Sequence, residues 1–134
     1  MPTTRAPAQF LDDDAPALAT EQNSQRAIAL DAGTFVREPF LITNPLYFGP
    51  DRRTRVILIT TNLTGNPSII ARAVDSMLTN YNLPVEFAGP LPGLPDFTQI
   101  VVKLPDGILL AGDLQVTINA HGKTSNVVLA GVKP

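Results

Sequence analysis

The sequence predicts an all-β chain folded as an antiparallel β-sandwich behind an extended N-terminal arm. Three observations carry this expectation. Thirteen prolines and nine glycines in 134 residues leave little room for long helices, because proline costs a helix interior about 3 kcal/mol and glycine about 1. Apolar runs recur at strand length over 27–30, 35–42, 55–63, 68–77, 83–88, 99–104, 114–120 and 126–132. Turn-forming clusters separate them at Gly33, Asn44-Pro45, Gly49-Pro50-Asp51, Gly65-Asn66-Pro67, Thr79 to Asn82, Gly89 to Pro95, Pro105-Asp106-Gly107 and His121-Gly122-Lys123. That spacing is what a sandwich or barrel leaves in sequence.

The first 25 residues differ from the rest. They hold Pro2, Pro7 and Pro16 and one basic residue, Arg5, against four acidic ones, Asp12, Asp13, Asp14 and Glu21, a net charge of −3. Residues 1–25 therefore read as an extended or disordered arm or linker, and residues 26–134 as the β-sandwich domain. One reading of the arm is a linker to an upstream domain. The other is a strand that docks on an exposed sheet edge, in its own domain or in the next copy, with Phe10 and Leu11 as the inserted side chains.

Within the domain, Arg55 to Leu63 contains Val56-Ile57-Leu58-Ile59 without alternation, as in a strand buried on both faces at the centre of its sheet. Ser68 to Met77 reads as a strand with helix as its competitor; placing Ile70 and Val74 inward requires a bulge. Leu114 to Ala120 alternates with period two, so Leu114, Val116, Ile118 and Ala120 face the core. Gly122 can take the positive φ of a tight hairpin loop, and Val127-Val128-Leu129 supplies the returning strand. Pro90, Pro92 and Pro95 lack amide donors and suggest an extended crossover between sheets, pinned by Phe97. Asn126 is expected to bond nearby backbone. Leu58, Val102, Val116, Ile118 and Leu129 are the expected core.

Composition bounds the function. With 44% hydrophobic and 16% charged residues the chain can form a core. A formal charge of −2 gives no electrostatic footprint for nucleic acid, and no apolar window reaches the roughly 18 residues of a membrane helix. Asp12, Asp13 and Asp14 lie where a signal peptide would be apolar, so secretion implies a removed leader or excision from a precursor. With no cysteine and one histidine, His121, there is no thiol nucleophile and no thiolate or multi-histidine metal site. Three adjacent aspartates converge poorly on one calcium ion and no EF-hand spacing follows them. Ser24, Ser68, Ser76 and Ser125 lie in no G-x-S-x-G elbow. Glu86, Asp96, Asp106 and Asp113 are scattered acids of ordinary surface composition. The expectation is a chain with no catalytic residues, cofactor or metal.

Two features suit a ligand face. Arg52, Arg53 and Arg55 form the basic cluster, read first as a solvated strand entry after the Gly49-Pro50-Asp51 turn, and otherwise as able to pair with acidic residues of a neighbouring strand or subunit or to grip an anionic glycan bidentately. Tyr47, Phe48 and Tyr81 are the aromatics suited to sugar stacking or to core packing.

The C-terminal third reads Ala88-Gly89-Pro90, Pro92-Gly93-Leu94, Gln99-Ile100-Val101-Val102-Lys103-Leu104-Pro105, Gly112-Asp113, Val116-Thr117-Ile118 and Gly122-Lys123-Thr124-Ser125-Asn126. This resembles an uncharacterised C-terminal domain family that recurs in large secreted proteins of soil bacteria, especially acidobacteria. Arg26 to Asp31, Arg37-Glu38-Pro39-Phe40 and Arg52 to Val56 look like a related extracellular module, so the resemblance spans residues 26–132. It implies an immunoglobulin-like sandwich outside the cell or at its surface, and no catalytic residues. The functional expectation is a non-catalytic structural or interaction module whose partners are other protein domains or copies of itself, including a surface polymer or filament. A carbohydrate-binding module is the alternative.

Overall fold

The computed structural model describes residues 15–43, 50–61, 63, 68–105, 107–108 and 111–133. Among them there is no helix. The strands are β1 (Ala17–Leu18), β2 (Ala29–Asp31), β3 (Phe40–Leu41), β4 (Arg55–Thr61), β5 (Ile69–Val74), β6 (Asn80–Leu83), β7 (Val85–Leu91), β8 (Leu94–Lys103), β9 (Gly112–Ala120), β10 (Lys123–Thr124) and β11 (Val128–Lys133).

Two sheets form from them. In the first, β1 and β2 both lie along one side of β4, followed by β8 and then β7. The second runs β3-β11-β9-β5-β6, with β10 also beside β9. These pairs are antiparallel except β3 with β11. One hydrophobic cluster joins the sheets, drawing Val56, Leu58, Ile100 and Val102 from the first and Ala71, Ala73, Leu114, Val116, Ile118 and Val128 from the second. The chain is an all-β sandwich.

The period-two pattern of β9 produces what it implies: Leu114, Val116, Ile118 and Ala120 are buried while Gln115 is exposed. Burying leucine, valine or isoleucine side chains such as the first three contributes about 1.5–3 kcal/mol each. In β4, Val56, Leu58 and Thr60 face inward and Ile57 and Ile59 are half-buried on the outer face. The outer face is thus only partly covered, although β4 is central, between β1/β2 and β8. The run 69–74 is a strand in the opposite phase to that expected: Ala71 and Ala73 point inward and Ile70 is exposed. No bulge is needed, because the two small alanines fit against β9. Leu58, Val102, Val116 and Ile118 are core. Leu129 is not; β11 turns Val128, Ala130 and Val132 inward, leaving Leu129 half-buried on the opposite face.

The β9–β10 loop is His121-Gly122, with φ of 56° and 75°, the two-residue loop whose twist matches its strands. The proline-rich segment is a second hairpin, where a crossover was expected. Leu91 pairs with Leu94 around Pro92-Gly93, and Gly93 has φ of 80°, so proline and glycine occupy the central positions of a type II turn. The crossover lies one element earlier, at Pro84, the residue between β6 of the second sheet and β7 of the first.

The sandwich also takes up the chain ahead of Arg26, where composition sets the domain boundary. Ala17 and Leu18 pair with Thr61 and Thr60, and Leu18 is only 4% exposed. Composition hides this strand because it is short and flanked by proline and acidic residues. Phe10, Leu11 and Asp12 to Asp14 lie outside the described residues, as does Tyr47.

Candidate functional site

The basic cluster is built where β4 begins. Arg55 on β4 reaches across Lys103 of β8 to Glu86 at the register shift of β7. Its Nε donates to Glu86 Oε1 at 2.8 Å and its Nη2 to Oε2 at 3.1 Å, while Nη2 also reaches Asp51 Oδ2 at 3.2 Å. Arg53 donates from Nε to Asp51 Oδ1 at 3.3 Å and Lys103 Nζ donates to Asp51 Oδ2 at 3.0 Å. Arg53, then Lys103, hold the Asp51 carboxyl far below the usual carboxylate range, and Arg55 lowers Glu86. Arg53, Arg55 and Lys103 are thus engaged with Asp51 and Glu86; Arg52 is exposed.

Tyr81 is not part of this group. It sits on β6 in the second sheet, where its hydroxyl donates to Asp75 Oδ2 at 2.8 Å, and its ring packs against the core. Asp75 also accepts the amides of Met77 and Thr79, both at 2.9 Å. The Thr79 amide is the main cause of its lowered pKa, and Asp75 in turn raises Tyr81. Tyr81 therefore ties down the β5–β6 loop, leaving its face partly covered for stacking.

A second cluster was not legible in the sequence. Arg26, between β1 and β2, donates from Nε to Glu38 Oε2 at 3.0 Å and from Nη2 to Glu38 Oε1. The same guanidinium donates from Nη1 and Nη2 to the two oxygens of Asp113, each at 2.8 Å. Gly131 N of β11 donates to Glu38 Oε1 at 2.6 Å. These residues line a cleft of about 310 Å³ together with Pro39, Gly112 and Lys133. Arg26 lowers the pKa of both Glu38 and Asp113. Both carboxylates stay ionised at neutral pH, whereas a general acid needs a raised pKa. The cluster clasps four parts of the chain: the segment before β2, the β2–β3 loop, β9 and β11.

The third arrangement recognises backbone. Leu18 N–H donates to Asn126 Oδ1 at 2.8 Å and Asn126 Nδ2 donates to Leu18 O at 3.0 Å. The amide of Asn126 thereby replaces a neighbouring strand for β1. Asn126 was expected to bond nearby backbone; its partner is 108 residues away. Ser125 fixes its position: Ser125 N donates to Ile118 O at 2.8 Å, Ser125 Oγ accepts from Ile118 N at 2.9 Å and donates to Asn126 O at 2.8 Å. From the first sheet, Ile59 O accepts Ala19 N at 2.8 Å and Thr60 Oγ1 donates to Ala17 O at 3.2 Å. The result is a slot for an extended segment, with bonds from both sheets and a core position for Leu18.

His121 is exposed at its turn, and among the described residues no group of three or more His, Cys, Asp or Glu is placed to hold a metal. Searches against protein-family models, curated proteins and solved structures find no match to this chain.

Proposed function

We propose that this chain is a non-catalytic structural or interaction module of immunoglobulin-like type, working outside the cell or at its surface through contacts with other protein domains or with copies of itself. One observation carries the reading: the charged groups that the fold gathers are spent on joining its own elements. Arg26 binds both Glu38 and Asp113, and Arg55 binds both Glu86 and Asp51. Large apolar side chains, among them Phe35, Val36, Met77, Leu78 and Phe87, stay exposed and are available to partners. The strand order supports the immunoglobulin-like assignment. β2, β4, β8 and β7 follow the A-B-E-D order of that fold, and β11, β9, β5 and β6 follow G-F-C-C′. The extracellular setting rests on the resemblance of the C-terminal third.

The carbohydrate-binding alternative needs a free aromatic platform beside free arginines, and Tyr81, Arg53 and Arg55 are engaged elsewhere. A polysaccharide and glycan array probed with the labelled chain tests the choice. The module reading expects no retention, and saturable retention that Arg52→Ala or Tyr81→Ala abolishes would replace it with the glycan reading.

A further inference from the structure

We propose that the slot holding β1 is a strand-exchange site, in which Ala17–Leu18 of one copy can take the place of the same strand in a second copy. The proposal deepens the module reading by naming its partner, a second copy of this chain, and the contact.

The slot's contacts are indifferent to which chain supplies the strand. Asn126 bonds the N–H and C=O of Leu18, Thr60 bonds the carbonyl of Ala17, and Ile59 bonds the amide of Ala19. All of these read extended backbone. The segment's buried side chains are Pro16 and Leu18, and Leu18 joins the core cluster. A second copy carries the same segment, so each bond can be remade between molecules, which is why domain swapping is a low-cost route to assembly.

The connection to the rest of the fold is suited to opening. Ala19 to Ile28 forms a small hairpin with the bridge Thr20 to Ala27, and its tip residues Gln22 and Asn23 are exposed. Three backbone bonds close it: Glu21 N to Arg26 O, Ser24 N to Glu21 O and Ile28 N to Ala19 O. Opening stops at a defined point, because Gln25 and Ala27 bond Leu129 of β11 and Arg26 is fixed by Glu38 and Asp113. The residues from Ala19 to Ser24 can then span about 20 Å when extended. β2 keeps its three pairs with β4 throughout. The sandwich therefore stays closed on one side while β1 leaves.

The surface beside the slot fits a contact between copies. Ile28, which bonds Ala19, and Val127, next to Asn126, are 40% and 41% exposed. Cis and exchanged forms share the same β1 contacts but the exchanged form gives up hairpin bonds on opening, so exchange is favoured as protein concentration rises. Reciprocal exchange gives a closed dimer, and one-way exchange gives a head-to-tail chain.

The chain has no cysteine, which makes a disulfide reporter clean. Ala17→Cys with Thr61→Cys places one thiol on each member of a cross-strand pair. Oxidation of the concentrated double variant, followed by electrophoresis without reductant, should give covalent dimers or a ladder that strengthens with concentration. Adding Asn126→Ala should abolish them. Disulfides confined to single chains at every concentration would overturn exchange, and no disulfide at all would overturn the pairing on which it rests. The wild-type chain supplies a second measurement. A peptide of residues 15–20 in excess should shorten or dissolve its assemblies, and the same peptide with Leu18→Asp should not. Assemblies indifferent to both peptides, or a chain monomeric throughout, contradict the proposal. Neither result touches the module reading, which the glycan array tests separately.

Discussion

Replacing Asn126 by alanine removes both hydrogen bonds that hold Leu18 from the side of the second sheet. A neutral hydrogen bond contributes about 1 kcal/mol net, so the pair accounts for about 2 kcal/mol. Asn126 is exposed at the sandwich surface, which lets water reach the freed groups and keeps the cost below that of a fully buried orphan, about 1–3 kcal/mol per group. Release of β1 sets the upper bound. Once the cost approaches the burial free energy of Leu18, roughly 2–3 kcal/mol, the strand detaches and no further loss accrues. Denaturant unfolding followed by circular dichroism should therefore show Asn126→Ala less stable by about 2 kcal/mol, with a melting temperature lower by roughly 6–10 °C. Leu18→Ala should cost less in that background than in the wild type, because both changes act on the same strand. A loss under about 0.5 kcal/mol, or strict additivity of the two changes, would refute the clamp.

Three further outcomes follow from the clusters and turns. Glu38, Asp51, Glu86 and Asp113 are all held below their ordinary pKa values in the folded chain. The unfolded chain is thus the first to take up protons as pH falls. Their contribution should be complete above about pH 5 and decline toward pH 3, and thermal melts with a constant midpoint over that range would contradict it. Arg26→Met keeps the aliphatic stem but strips two carboxylates of their shared partner. It should cost about 2 kcal/mol, against less than about 0.5 for exposed Arg52→Ala, and equal effects in denaturant melts would remove the clasp. Gly93→Ala forces a side chain into positive φ at the β7–β8 turn and should destabilise by about 1 kcal/mol; a neutral result would mean the type II turn is not formed.

How much of this was legible depends on the range of the interaction. β9 and the His121-Gly122 turn were readable because alternation and loop chemistry are local properties. β5 was readable as a strand but not in its phase, since the inward residues are the small Ala71 and Ala73 while the larger Ile70 faces out. The prolines of Gly89 to Pro95 suggested a crossover, but Pro92-Gly93 is equally a turn pair, and pairing of Leu91 with Leu94 decides between them. Leu129 sits in the run Val127-Val128-Leu129, which has no alternation to fix a face. The arginine cluster is visible as a run of like charge, but its acidic partners are not: Asp51 reads locally as a turn residue and Glu86 as an ordinary surface acid, and only the fold brings them to Arg53 and Arg55. The clasp of Arg26 joins residues 12 and 87 positions away, and the Asn126 clamp spans 108. A single sequence carries no local signal for either.

Sedimentation velocity of the purified wild-type chain over a wide concentration range, with Asn126→Ala alongside, tests the central claim most directly. The account expects the wild-type species to grow with concentration and the variant to remain monomeric while still folded by circular dichroism. A wild-type chain that stays monomeric throughout, or a variant that assembles equally well, would contradict it.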